Sequence, residues 1–213
     1  AAAPTPIRLR ADTRVIDVRG RAATVFGLTQ PNGSHGLVTQ AGQGFRVSLE
    51  NRLGESTLIH WHGLTPPWAQ DGVPGLTQAP LVPGATHEYD FPLDRPGTNW
   101  MHSHHGLQEQ RLLAAPLIVR DPAQAGEDVR EVVVLFHDFS FRAPDEILAQ
   151  LRGDNHAGHG PRWMGPGGRH ALRHGAVHLH DVDYDAFLAN DRTLDDPEVF
   201  RVERGGRVRL RLI

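Results

Sequence analysis

The sequence predicts an all-β protein with a two-sheet sandwich in its amino-terminal part. Short alternating or apolar runs follow one another through the first 120 residues, and Gly, Pro, Asn and Asp separate them. The chain has 23 glycines and 16 prolines, which suits short strands joined by many turns better than long helices. At 213 residues it is long enough for one domain and part of a second, since domains usually have roughly 100 to 150 residues.

Seven runs have the pattern of strands, because apolar residues either alternate with polar ones or continue over the length of a strand. In chain order these runs are IRLRADTRVIDV, ATVFGLTQ, FRVSLENRL, STLIHWHGL, THEYDFPL, NWMHSHH and APLIVRDP. Between the fourth and fifth runs lies WAQDGVPGLTQAPLVPGA, which contains three prolines and three glycines. So many breakers exclude a helix or a central strand, and we expect a long ordered loop there.

After the sandwich, EVVVLFHDFSF at 131–141 predicts a further buried strand. A short helix is expected to begin at Pro144, which suits a first helical position, and to end at Gly153. Residues 154–175 have no hydrophobic period and predict an irregular surface segment. AVHLHDVDYDAFLAN and EVFRVERGGRVRLRLI then resume strand alternation. Because this alternation continues to Ile213, we expect the sequence to stop within a strand, as a truncated or nicked chain would.

Charge and composition narrow the classes of partner. The 22 basic and 25 acidic residues give a formal net charge of -3, which argues against a nucleic-acid partner because no basic surface is available for phosphates. No apolar run approaches the roughly 20 residues that cross a bilayer, so no membrane span is expected. The opening AAAPTPIRL is typical of what remains after a leader peptide is removed, which predicts a periplasmic or secreted protein. Cysteine is absent, so these residues offer neither a disulfide nor a sulfur ligand.

Histidine is the unusual component: there are 14 copies, and four of them form two closely spaced pairs. His60 and His62 lie in one predicted strand, and His102 and His104 lie in another. Residues i and i+2 of a strand share a face about 6.6 to 6.8 Å apart, so four imidazoles from neighbouring strands can converge. Burying them without partners would be costly, and a metal ion would offset that cost.

The type of metal chemistry is left open by the spacing. Imidazole suits Zn, Cu, Fe and Ni, and copper binds a given nitrogen site most tightly of these. Two histidines at strand spacing can hold one ion together or reach two neighbouring ions. A zinc hydrolase or lyase with three histidine ligands and an activated water therefore remains an alternative at this point.

Four segments of the chain resemble a known family. HWHGL, QDGVPGLTQAPLVPG, GTNWMHSHHGLQEQ and APLIV are similar to the amino-terminal cupredoxin domain of multicopper oxidases of the bacterial copper-resistance and laccase-like type. The resemblance is dense over 45–120, and DYDAFLANDRT with RVERGGRVRLRLI is similar to the opening of the family's second domain. It implies a cupredoxin-like Greek-key sandwich at 1–122, a connecting segment with a short helix at 123–180, and the beginning of a second cupredoxin domain at 181–213.

The resemblance also implies a role for each histidine of the two pairs. In the family, the first domain supplies half of the histidines of a trinuclear copper cluster at which O2 is reduced to water. Carried over by motif, His60 would bind the type 2 copper, His62 and His102 one type 3 copper, and His104 the other. Asp71 would orient bound water and relay protons, although an Asp before a Gly is also an ordinary turn residue.

The chain departs from the family pattern in what it lacks. The blue type 1 copper needs a cysteine thiolate, and the family's HCH and HxxHxH motifs are also missing from these residues. We therefore expect the remaining ligands to come from further polypeptide or a complementary fragment. The reducing substrate would be a phenol, an aromatic amine or Cu(I). A non-catalytic copper-binding or structural cupredoxin protein, a relative of copper nitrite reductase and a zinc hydrolase are the alternatives.

Several residues near the motifs are predicted to have no catalytic role. Strand alternation turns His105 away from the cluster, and Gln108, Glu109 and Gln110 are interpreted as solvated or structural. Most of the additional histidines are expected to decorate the irregular surface segment; they are His156, His159, His170, His174, His178 and His180. The HLH pair at 178–180, which is followed by Asp181 and Asp183, is also a candidate accessory metal site or lid.

Overall fold

The computed structural model describes residues 5–152 and 182–213, so the predicted irregular segment and its additional histidines lie outside the described residues. Within these two ranges the strands are β1 (Ile7–Val18), β2 (Arg21–Thr29), β3 (Leu37–Gln40), β4 (Gly44–Asn51), β5 (Ile59–His62), β6 (Thr86–Pro92), β7 (Gly97–Ser103), β8 (Ala114–Arg120), β9 (Arg130–Val134), β10 (Phe136–Phe139), β11 (Ala186–Ala189) and β12 (Val208–Leu212). Helix α1 spans Pro144–Leu151, and short 3-10 turns lie at Trp68–Gln70, Glu109–Arg111 and Pro122–Gln124.

The first eight strands form two four-stranded sheets, with the orders β2-β1-β4-β6 and β3-β8-β7-β5. Their alternating apolar residues face one another and form the main core. At its centre, the ring of Trp61 packs edge-on against Phe45 and Tyr89, with centroids 4.9 and 4.7 Å apart. The predicted β-sandwich is therefore confirmed.

The remaining strands repeat part of the sandwich's pairing pattern. In the sandwich, the first half of β1 pairs in parallel with β4 and its second half pairs antiparallel with β2. In the same way, β9 pairs in parallel with β12, and β10 pairs antiparallel with β11. β9 and β10 come from the predicted connecting segment, so that segment contributes strands to the sheets of 186–212. The domain boundaries themselves stay a prediction.

Most predicted elements have a counterpart in the structure. Each of the seven predicted strands overlaps with an observed one, and α1 begins at Pro144 as expected. The run at 131–141 is two strands rather than one, because the side-chain oxygen of Asn190 accepts the backbone N–H of Leu135 between them. EVFRVERGG before β12 is not a strand, and β3 was not predicted. In the described ranges, no helix has the length and apolar character needed to cross a membrane.

Candidate metal centre

The four paired histidines lie on one face of the β5–β7 ladder. His60 stands directly opposite His102, and His62 stands opposite Trp100 in the antiparallel register. Trp61 and Met101, one position along each strand, are fully buried in the core on the other face. This is the alternation that a strand imposes, and it presents the imidazoles together on the outside of the sandwich.

The rings are close enough to act as one cluster. The centroid of His60 lies 4.8 Å from that of His104 and 5.6 Å from those of His62 and His102. The centroid of His102 lies 5.5 Å from that of His62 and 4.9 Å from that of His104. His104 follows the end of β7, and its backbone N–H donates to the carbonyl of Leu58, which holds this residue against the segment that leads into β5.

The ring of His60 is oriented by the loop that follows β5. Its Nδ1 lies 2.7 Å from the backbone carbonyl oxygen of Asp71, which accepts the Nδ1 proton and leaves Nε2 free. The Asp71 carboxylate lies near the same nitrogen, with Oδ1 3.4 Å away. Gly72 permits this close approach: its φ is +75°, and a Cβ there would lie 1.9 Å from the carbonyl oxygen of Ile59.

His62 and His102 present two ring nitrogens to each other. Nδ1 of His62 lies 3.3 Å from Nε2 of His102. Two nitrogens bound to one ion at about 2.0 to 2.1 Å and a tetrahedral angle are also about 3.3 Å apart, so the pair fits two ligands of a single ion. Among the residues that the structure describes, no three His, Asp or Glu side chains are grouped to hold an ion by themselves.

Two further residues contact the histidines, and the sequence interpretation missed both. Trp100 stacks on His102 with centroids 4.0 Å apart and lies 5.2 Å from the ring of His62. Trp100 lies two residues before His102, so strand alternation by itself predicts that it is on the same face as the histidines. Glu109, interpreted as solvated or structural, places Oε2 3.1 Å from Nδ1 of His102. That contact crosses a turn, and strand alternation carries no signal for it.

The local electrostatics favour neutral imidazoles and an ionised carboxylate. Partial desolvation, followed by the influence of His102 and His60, lowers the pKa of His62, and the same causes in the same order lower the pKa of His104. The hydrogen bond from His102 lowers the pKa of Glu109. Neutral imidazole is the form that binds metal ions, so at neutral pH His62 and His104 are ready to act as ligands.

A buried glutamine holds the turn that carries these groups. Gln108 is 3% exposed, and its side-chain oxygen accepts hydrogen bonds from the hydroxyls of Thr57 and Ser103. Its amide nitrogen donates to the carbonyl of Ser56. The segment before β5 and the end of β7 are thus joined through one fully bonded side chain, which confirms a structural role for Gln108.

The sequence of this chain is similar to those of known copper proteins. A family model described as multicopper oxidase matches residues 20–124. Copper resistance protein A of Escherichia coli is 40% identical over 113 residues, which are 52% of this chain and 18% of that protein. Multicopper oxidase MmcO of Mycobacterium tuberculosis is 30% identical over 199 residues, which are 89% of this chain and 38% of that protein. The chain therefore spans only 18% and 38% of the lengths of these two relatives.

Solved structures agree with the sequence matches. The blue copper oxidase from Nitrosomonas europaea has a TM-score of 0.68 at 27% identity, covering 97% of this chain and 59% of that chain. The laccase from Botrytis aclada has a TM-score of 0.59 at 31% identity, covering 71% of this chain and 29% of that chain. The predicted cupredoxin-like sandwich is confirmed by these neighbours, and together the matches show that residues 20–124 form a domain of the multicopper oxidase family.

Proposed function

We propose that this chain supplies half of the trinuclear copper cluster of a laccase-like multicopper oxidase, which couples one-electron oxidation of a substrate to the four-electron reduction of O2 to water. The observation that carries the proposal is the pair of ring nitrogens 3.3 Å apart on His62 and His102, flanked on the same face by His60 and His104. Four imidazole nitrogen donors without sulfur or grouped carboxylates suit copper.

The ligand roles follow the motif. His60 would hold the type 2 copper, His62 and His102 would share one type 3 copper, and His104 would hold the other. The shared pair has the spacing of two ligands on one ion, while His60 and His104 would each need partners from elsewhere. A half-site of this kind explains why three side chains are not grouped around one ion in the described residues. Copper, when bound, supplies the one-electron redox chemistry.

The protein's own residues orient the rings and handle protons. The carbonyl of Asp71 fixes Nδ1 of His60 as the protonated nitrogen, so Nε2 is the nitrogen that would bind the metal. The Asp71 carboxylate, 3.4 Å from that Nδ1, would accept and release protons beside the cluster, since reduction of O2 to two waters consumes four protons. Exposed His62 leaves the cluster face open for the partner ligands.

The rest of the oxidase belongs to the proposal as well. A type 1 copper with a cysteine ligand and the other cluster histidines would come from further polypeptide or a complementary fragment. The reducing substrate would be a phenol, an aromatic amine or Cu(I), bound near that type 1 copper. A periplasmic or secreted location is proposed for the protein, and cell fractionation with antibody detection tests it.

Copper content tests the proposed centre. We expect the purified protein to have an intact mass above that of these 213 residues, about four coppers, and O2 consumption with a phenol or Cu(I). His62→Ala and His102→Ala should each lose cluster copper and O2 reduction, because each removes one ligand of the shared ion. His105→Ala is the matched control, since strand alternation predicts that it is not a ligand.

Other results would contradict the proposal. One zinc per chain and no copper would favour the zinc hydrolase. Bound copper without any O2 consumption in the complete protein would favour the non-catalytic copper-binding alternative. If His105→Ala lost as much copper as His62→Ala and His102→Ala, the assignment of ligands from strand alternation would be contradicted.

A further inference from the structure

The carboxylate of Glu109 approaches Nδ1 of His102, the ring nitrogen that does not face His62. Oε2 of Glu109 lies 3.1 Å from Nδ1 of His102, and the backbone oxygen of Ser103 lies 3.2 Å from the same nitrogen. The other ring nitrogen, Nε2, is the atom that faces His62. His102 is 5% exposed, so a proton on its Nδ1 would be shared between a carboxylate and a carbonyl instead of being given to water.

The fold fixes where this carboxylate stands. Glu109 opens the 3-10 turn directly after Gln108, whose side chain is anchored by three hydrogen bonds. The turn ends at Leu112, which has a left-handed φ of +66° and is 2% exposed. Arg111 points away from the histidines, because its guanidinium pairs with Glu55 and lies 3.8 Å from the centroid of the Phe26 ring.

His60 and His102 stand opposite each other on β5 and β7, and the nearest acceptors of their Nδ1 atoms are of different kinds. The nearest acceptor of Nδ1 of His60 is the backbone carbonyl of Asp71 at 2.7 Å, with the carboxylate of the same residue farther away at 3.4 Å. The nearest acceptor of Nδ1 of His102 is the Glu109 carboxylate at 3.1 Å. A carboxylate that accepts from a metal-binding histidine orients the ring, selects its tautomer and makes the opposite nitrogen a stronger donor. Stacking of Trp100 on the same ring restricts its plane but leaves the tautomer undetermined.

We propose that Glu109 is the positioning residue of the His62–His102 pair: its carboxylate accepts the Nδ1 proton of His102 and so keeps Nε2 unprotonated and aimed at the position between the two rings. The value of this arrangement for copper rests on the function proposed above. The hydrogen bond itself is a property of the chain without metal, and it can be measured there.

Imidazole nitrogen spectra of the metal-free full chain test the positioning directly. Long-range proton–nitrogen correlations are recorded at about pH 8, above the ordinary imidazole pKa of about 6.5, for the wild type, Glu109→Ala and Glu109→Gln. We expect His102 to be the Nδ1–H tautomer in the wild type and to populate Nε2–H several-fold more in Glu109→Ala. Glu109→Gln should show a smaller change in the same direction, because its amide oxygen accepts but carries no charge.

Copper titration of the same proteins supplies the second measurement. The apparent copper affinity should fall about 10- to 100-fold in Glu109→Ala, the usual effect of removing such a partner, and less in Glu109→Gln. Glu55→Gln is the matched control: it loosens Arg111 in the same turn without touching His102, and an exposed ion pair contributes so little that affinity should stay within about 2-fold.

The outcomes separate the two proposals. An unchanged His102 tautomer in Glu109→Ala overturns the role of Glu109, as does an equal shift in Glu55→Gln. If Glu109→Ala does not fold, an unchanged tautomer in Glu109→Gln has the same consequence. If the complete wild-type protein, with its remaining ligands, binds no copper, the proposed function fails, while the tautomer comparison still decides whether Glu109 positions His102.

Discussion

At the scale of single residues, the candidate centre depends on alternation within two short strands. On β5 the rings of His60 and His62 face outward, while Trp61 between them is fully buried in the core. A register shift of one residue would exchange these faces and place imidazoles in the core. The packing of Trp61 between Phe45 and Tyr89 opposes such a shift, so the apolar residue keeps its polar neighbours in place.

Gly72 gives a prediction at this scale. Gly72→Ala should destabilise the protein by about 3 kcal/mol or more, because a left-handed residue acquires a Cβ that overlaps the carbonyl of Ile59. Relief of the overlap would also move Asp71 away from His60. Urea unfolding measures the first effect, and copper affinity measures the second.

Gly75→Ala is the matched control for this substitution. Gly75 has a similar φ of +71°, but nothing lies within 4 Å of its added Cβ. Only the backbone cost of about 1 kcal/mol should remain. Equal losses of stability in the two variants would show that the close approach to Ile59 has no energetic consequence.

At the scale of elements, the 3-10 turn at Glu109–Arg111 joins β5 and β7 to the cluster. Its anchor is Gln108, whose side chain bonds to Ser56, Thr57 and Ser103. A buried group with all its hydrogen bonds formed specifies one arrangement of the segments around it. The turn therefore has a fixed position relative to both histidine strands, although it belongs to neither.

Replacement of Gln108 tests this anchor. Gln108→Leu should lower the free energy of unfolding by about 2 to 4 kcal/mol, since it leaves two buried hydroxyls and a carbonyl without their partner. Gln110→Leu, at an exposed position two residues later, should change it by less than about 0.5 kcal/mol. Urea denaturation followed by tryptophan fluorescence provides the comparison. Similar effects for both variants would contradict a special role for the buried side chain.

At the scale of the whole molecule, a partly buried polar cluster joins the sandwich to the sheets beyond it. The guanidinium of Arg14 on β1 makes two hydrogen bonds with the carboxylate of Asp191, which follows β11. His35 and His137 lie in the same region and line a cavity with Asp191. Burial is the largest cause of the lowered pKa values of both His35 and His137, so both imidazoles are held neutral beside the ion pair.

His35 makes stability depend on pH in a definite direction. Burial, followed by the charge of Arg14, lowers the pKa of His35 to about 4, against about 6.5 in the unfolded chain. Between these values the unfolded state binds more protons than the folded state, so stability rises with pH. The stability that depends on a neutral His35 is fully present above about pH 6.5. The free energy of unfolding then falls by roughly 2 to 3 kcal/mol as the pH drops to 4.

Urea unfolding at several pH values checks this prediction. His35→Gln removes the titrating ring and can still donate a hydrogen bond to the carbonyl of Ala114, the present partner of His35. Its stability should therefore fall less steeply between pH 6.5 and 4 than that of the wild type. Parallel pH profiles for the two proteins would show that His35 is not responsible for the dependence.

Local sequence patterns determined much of this protein. Seven strands, the long loop, the start of α1 at Pro144 and the shared face of the four histidines all follow from alternation and turn residues over a few positions. These features are predictable because the period of a strand and the conformational limits of Gly and Pro act between neighbouring residues. The position of Trp100 is predictable in the same way, since alternation alone places it beside His102.

Tertiary structure decided the contacts between residues that are distant in sequence or separated by a turn. Sequence reasoning could not place Glu109 against His102, join Arg14 to Asp191, or divide the strand at Leu135, because each depends on how separate segments pack. The short strand β3, with the residues LVTQ, was missed since four residues carry too little pattern. Strand alternation depends only on neighbouring residues. Across a turn, by contrast, the packed core beneath a side chain determines its direction and its partner.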